Sequence, residues 1–195
     1  MILTIPNAVS AVRISLIPVF VWLLVGRDDP TAAGLLLGFI GATDWVDGYL
    51  ARRLGQVSEL GKILDPIADR AAVMTALLAG WAAGVLPGWF TLAVLARELL
   101  VITGTGWAVA RRGVRIPVRR VGKVATFAIY FALPGFMLHA GGEGEFFRWF
   151  AWVVGITGLA LYWYAAALYA RDVLALVGRD DSQVSSTLRD NEEPK

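Results

Sequence analysis

The sequence predicts an all-α integral membrane protein of six transmembrane helices. Three observations carry that expectation: the chain is unusually apolar, its apolar residues fall into six long runs, and its basic residues gather on one side of those runs. Of 195 residues, 57% are hydrophobic and 17% charged, and the mean hydropathy is +0.61; a soluble domain carries about 25% charged residues. A helical span needs roughly 20 apolar residues, so six spans and their turns occupy nearly the whole chain and leave no second, soluble domain. There is no cysteine and one histidine, His139. Disulfides, thiolate zinc sites, thiol nucleophiles and histidine clusters are therefore out of reach, leaving carboxylates, basic groups and hard metals. The 18 basic and 16 acidic residues are too evenly balanced to suggest a nucleic-acid partner, so placement of charge matters more than its sum.

The first run, roughly 5–26, has no basic leader, carries Arg13 in its middle and lacks a small-residue cleavage site, so it reads as a retained helix. Runs two and three, roughly 31–53 and 63–86, flank a loop with Arg52, Arg53 and Lys62. Runs four and five, roughly 88–110 and 121–140, flank a loop with Arg111, Arg112, Arg115, Arg119, Arg120 and Lys123. The sixth, roughly 146–177, is longer than a bilayer requires and reads as a helix continuing past the membrane surface. Only Arg27 and Arg148 lie on the opposite side, which places both termini in the cytoplasm by the positive-inside rule. Residues 1–177 then form one membrane domain. Residues 178–195 are polar without apolar periodicity and are expected to be a disordered cytoplasmic tail.

Four carboxylates break the apolar pattern. Asp44 and Asp47 lie at the inner end of the second run, Asp65 and Asp69 at that of the third. Each costs about 2.5–3.5 kcal/mol at bilayer depth. Spacings of three and four put each pair on one helical face, and at about 1.5 Å per residue all four fall at matching depths in an antiparallel hairpin. Carboxylates gathered this way repel one another unless divalent cations neutralise them, and an all-oxygen donor set favours Mg²⁺ or Mn²⁺, with room for two ions. Pairing with nearby arginine or lysine is the plainer use of one such acid; four at one depth exceed it. Intramembrane acids also serve ion- or proton-coupled transporters, but those sites favour the midplane between repeated halves. Here the acids crowd one end of one hairpin.

Asp44, Asp47, Gly48, Ala51, Arg52, Gly61, Asp65 and Asp69, with their spacing, resemble the signature of the CDP-alcohol phosphatidyltransferase family. The opening Ile5-Pro6-Asn7 with Arg13 is similar to that family's N-terminal segment, and the resemblance runs over roughly residues 4–175. It implies a six-helix membrane enzyme, a possible homodimer with its active site on the cytoplasmic side, that moves the phosphatidyl group of CDP-diacylglycerol to an alcohol and releases CMP. It implies Asp44, Asp47, Asp65 and Asp69 as metal ligands, with Asp69 also the general base. Gly48, Arg52 and Ser58 match residues that hold the CDP portion, with Asn7 and Arg13 approaching the nucleotide.

Arg97-Glu98 and Gly122-Lys123 resemble family members whose acceptor is glycerol 3-phosphate and whose product is phosphatidylglycerophosphate. The run Gly122-Lys123-Val124-Ala125-Thr126-Phe127 is also similar to a subgroup that makes cardiolipin from phosphatidylglycerol. The expected acceptor is glycerol based, glycerol 3-phosphate first, with Arg97, Arg112, Arg119 and Lys123 as the residues that bind it.

Overall fold

The computed structural model describes the backbone of residues 5–54, 59–112 and 120–192, and the side chains of residues 11–43, 70–104, 106, 107, 110 and 120–171. Helix α1 (Ile5–Val21) widens into a π-helical turn over Trp22–Gly26. There the Arg27 N–H donates to the Trp22 carbonyl at 2.9 Å, the five-residue step of π geometry. Asp28 then takes a φ of 52°, a left-handed conformation that Asp tolerates better than most residues. That reversal lets Asp29 cap α2 (Pro30–Leu54) by accepting the Ala32 N–H at 2.9 Å, and Pro30 fills the first helical position, where a missing N–H costs nothing.

Helix α3 (Glu59–Ala82) ends four residues before the apolar run does. Gly84, at φ 72°, turns the chain there, and the N–H groups of Val85 and Leu86 both donate to the Gly80 carbonyl, at 2.9 and 3.0 Å. Helices α4 (Gly88–Arg112), α5 (Arg120–Ala140) and α6 (Glu145–Glu192) complete the chain. Among the described residues the protein is all-helical, as expected, and contains no strand. Helix α6 continues through Glu192, across the polar segment for which the sequence predicts disorder. A helix already nucleated adds one hydrogen bond per residue, and no proline interrupts the segment before Pro194.

Helix α5 is central, packed along α6 and against α2. Small residues bring these backbones together. A Cβ on Gly34 would meet the Met137 Cβ at 3.0 Å and the Pro134 carbonyl oxygen at 3.2 Å, one on Gly38 the Pro134 Cβ at 4.0 Å, and one on Gly41 the Tyr130 ring at 2.8 Å. These steps run forward along α2 and backward along α5, so the two helices are antiparallel and in a fixed register. On the other side of α5, Gly158 of α6 lies against Ala128 and Ile129. The interior is filled by Ala33, Ala76, Ala125, Ala132, Ala151 and Ala165, with Phe20, Phe90, Leu37, Leu77 and Leu133 between them. Large apolar side chains such as Leu35, Phe39, Leu99, Phe127 and Val153 lie on the outside.

Two helical stretches among the described residues, Arg120–Ala140 and Glu145–Arg171, are long and apolar enough to cross a membrane. The sequence predicts six. Three further apolar stretches, Ala11–Gly26, Pro30–Thr43 and Arg70–Ala82, are shorter. These shorter stretches are bounded by the limits of the described side chains, at Ala11, Thr43 and Arg70.

Candidate active site

Helical backbone runs unbroken through Asp44 and Asp47 on α2 and through Asp65 and Asp69 on α3. The spacings of three and four therefore put each pair on one face of its helix, as expected. Their side chains, and those of Asn7, Gly48, Arg52 and Arg112, lie outside the described residues, as do Ser58 and Arg119 altogether. Among the described side chains no group of three or more His, Asp or Glu is placed to hold a metal. The fit to a metal therefore rests on the chemistry of the donor set: four carboxylates in two face-sharing pairs suit hard divalent cations.

Arg13, expected near the nucleotide, is buried on α1, at 4% exposure. Such burial of an arginine is rare without a purpose in binding or packing.

Of the residues expected to bind the acceptor, Arg97 and Lys123 lie among the described side chains. Arg97 is buried on α4 at 6% exposure, where α4 meets α6. Its Nη1 donates to Glu98 Oε1 at 2.9 Å, and its Nε donates to the Tyr162 carbonyl oxygen at 3.4 Å. The guanidinium carbon lies 3.7 Å from the centre of the Tyr162 ring, well inside cation–π range. The Tyr162 hydroxyl donates to the same Glu98 oxygen. One carboxylate and one aromatic ring thus fix the guanidinium by an edge and a face. Its Nη2 lies 3.9 Å from where a Cβ on Gly122 would stand, which sets the guanidinium beside the first turn of α5. Lys123, next along α5, is exposed, and Thr126 donates to the Gly122 carbonyl oxygen at 2.9 Å. Of the four expected acceptor residues, Arg97 is buried in this corner and Lys123 is exposed one position beyond Gly122.

The α2–α5 register joins this corner to the carboxylates. Gly41 packs on Tyr130, and Asp44 and Asp47 lie three and six residues farther along α2. At about 1.5 Å per residue in antiparallel helices, they stand level with the stretch of α5 between Tyr130 and Lys123.

Sequence reasoning missed Tyr162 as a site residue, and named Glu98 only as part of a motif. Tyr162 sits in an aromatic run, Tyr162-Trp163-Tyr164, that reads as membrane packing, and it is 64 positions from its partner.

Comparison with known proteins follows the same lines. A model of the family described as CDP-alcohol phosphatidyltransferase matches residues 3–164. A cardiolipin synthase (CMP-forming) of Streptomyces coelicolor is 37% identical over 187 residues, covering 92% of this chain and 86% of that protein. A CDP-diacylglycerol–glycerol-3-phosphate 3-phosphatidyltransferase of Bacillus subtilis is 35% identical over 148 residues, 69% of this chain and 76% of the relative. One of the same name from Pseudomonas fluorescens is 40% identical over 111 residues, 54% of this chain and 56% of the relative. With the signature on α2 and α3 and the match spanning five helices and part of the sixth, the chain belongs to the CDP-alcohol phosphatidyltransferase family of enzymes.

Proposed function

We propose that the protein is a multi-pass enzyme of the cytoplasmic membrane that transfers the phosphatidyl group of CDP-diacylglycerol to a glycerol-based acceptor, glycerol 3-phosphate first, with release of CMP. The observation that carries this reading is the register that sets Asp44 and Asp47 of α2 level with the part of α5 where Gly122 and Lys123 adjoin Arg97. One end of the bundle then holds both a metal-binding face for a diphosphate and a basic corner for a second anion. Small residues inside and large apolar residues outside support immersion in lipid, where helices associate by close packing. All six helices span in this reading, the charged breaks in α2, α3 and α4 facing the site. Both termini and the active site face the cytoplasm.

In the reaction, the acceptor hydroxyl oxygen forms a bond to the phosphatidyl phosphorus as the bond from that phosphorus to the CMP oxygen breaks. Asp69 takes the hydroxyl proton, and CMP leaves with the electron pair of the broken bond. Asp44, Asp47, Asp65 and Asp69 would hold two Mg²⁺ or Mn²⁺ ions, which supply neutralisation of the diphosphate and the leaving group. Gly48, Arg52 and Ser58, with Asn7 and Arg13, hold the CDP portion. Arg97 and Lys123, with Arg112 and Arg119 from the following loop, receive the acceptor phosphate by charge-assisted hydrogen bonds.

Phosphatidylglycerol is the second reading, favoured by the 92% coverage of this chain by the Streptomyces coelicolor relative and by the carboxylate of Glu98 against Arg97. That pairing lowers the positive charge available to a doubly charged phosphate. Purified protein supplied with CDP-diacylglycerol, Mg²⁺ and each acceptor in turn decides the matter. Phosphatidylglycerophosphate is the expected lipid product; cardiolipin formed without glycerol 3-phosphate installs the second reading, and no CMP with any alcohol overturns both.

A further inference from the structure

We propose that Glu98 and Tyr162 are positioning residues that hold the Arg97 guanidinium against the Gly122 turn, so that its Nη2 edge meets the phosphate of the acceptor. The inference rests on the reading of Arg97 as an acceptor-binding residue.

An arginine side chain carries considerable rotamer freedom, and a planar fork binds phosphate well only when its plane and edge are already set. Arg97 is set from three sides. Glu98 takes Nη1 at 2.9 Å, the Tyr162 carbonyl oxygen takes Nε at 3.4 Å, and the Tyr162 ring covers one face at 3.7 Å. The Tyr162 hydroxyl closes the arrangement by donating to the Glu98 oxygen that Arg97 uses. Among the described residues no hydrogen-bond partner is found for Nη2, the nitrogen beside Gly122. The side chains of Arg97 and Glu98 are 7% and 12% exposed, so both ions are drawn out of solvent where each needs the other. A pair serving packing alone has no reason to leave one guanidinium edge directed at a glycine on a third helix. Three helices, α4, α5 and α6, converge on that edge, and each contributes one element: the cation and its counter-ion, the open backbone, and the ring.

The test separates posture from charge. Tyr162→Phe keeps the ring and loses the hydroxyl, Tyr162→Leu loses both, and Glu98→Gln keeps an acceptor oxygen without the charge. Calorimetric titration of the purified, Mg²⁺-loaded protein uses two soluble probes, glycerol 3-phosphate and glycerophosphoglycerol, the monoester and diester forms of the same headgroup chemistry. Tyr162→Leu is expected to weaken binding of the preferred probe by about tenfold, the size of loss typical when a supporting partner of a binding residue is removed. Tyr162→Phe should weaken it less, and the apparent KM for CDP-diacylglycerol should not move in either. In an Arg97→Lys background, where no planar fork remains to be aligned, Tyr162→Leu should change acceptor binding little further. Unchanged binding in Tyr162→Leu and Glu98→Gln, equal changes for acceptor and CDP-diacylglycerol, or a full Tyr162→Leu effect without Arg97 overturns the inference. Failure of the enzymatic reading is a separate result: a protein that binds a probe through Arg97 but forms no CMP loses the function and keeps the positioning pair.

Discussion

Arg97 Nη1 and Glu98 Oε1 meet at 2.9 Å although the two residues are consecutive on α4. Neighbours on a helix start about 100° apart around its axis and do not ordinarily face each other. The contact forms because both side chains are long enough to wrap toward α6, where the Tyr162 ring and hydroxyl receive them. The setting of Arg97 is thus an arrangement that α6 imposes on α4.

Removal of that charge is expected to affect the acceptor chiefly. With glycerol 3-phosphate as acceptor, Arg97→Ala and Lys123→Ala should each raise its apparent KM, by about tenfold or more, with a smaller change for CDP-diacylglycerol. Acceptor use should also weaken with added salt, as screened attraction does. Initial rates at varied acceptor and salt concentrations check both; salt-independent kinetics would assign the acceptor's recognition to other groups.

Substitution in the carboxylate hairpin is expected to stop turnover. Asp44→Asn, Asp47→Asn, Asp65→Asn and Asp69→Asn should each lower the rate by about a hundredfold or more, because a metal site missing one oxygen ligand no longer matches its ion. CMP release by detergent-purified variants with normal gel-filtration profiles measures this. A variant with wild-type turnover removes that residue from the ligand set.

Chelation should abolish CMP release, and Mg²⁺ or Mn²⁺ should restore it, since an all-oxygen donor set matches small, hard cations. Activity that survives exhaustive chelation would argue for a reaction without metal.

Packing predicts a different phenotype. Gly41→Val places new atoms on the Tyr130 ring, which already lies 2.8 Å from where the Cβ would stand, and overpacking of this kind costs about 1–3 kcal/mol. The melting temperature in detergent should fall. Gly104→Ala, with no described atom within 4 Å of its added Cβ, serves as the control and should not lower that temperature.

Helix positions were legible because apolar runs of span length have few other uses, and the boundaries of α1, α2, α4 and α5 lie within a few residues of them. The carboxylates were legible for the opposite reason: Asp44, Asp47, Asp65 and Asp69 break otherwise apolar stretches. Three features were not. The π-helical turn at Trp22–Gly26 is a change of hydrogen-bond register, to which hydropathy is blind. Gly34, Gly38 and Gly41 set the α2–α5 register, but glycine in a membrane helix gives no sign of which neighbour it admits. Tyr162 looks like its aromatic neighbours until the fold carries it across 64 residues to Glu98.

The adjacency of Arg97 and Glu98 also bears on how the protein is made. Because α6 is what turns these neighbours toward each other, α4 is synthesised before its two charges can be held as they are in the folded protein. Tyr162 belongs to α6, which is synthesised after α4 and α5. The surroundings of Arg97 are therefore completed only when α6 arrives, and a nascent chain stalled after α5 would carry the Arg97–Glu98 pair without the ring and hydroxyl that set it.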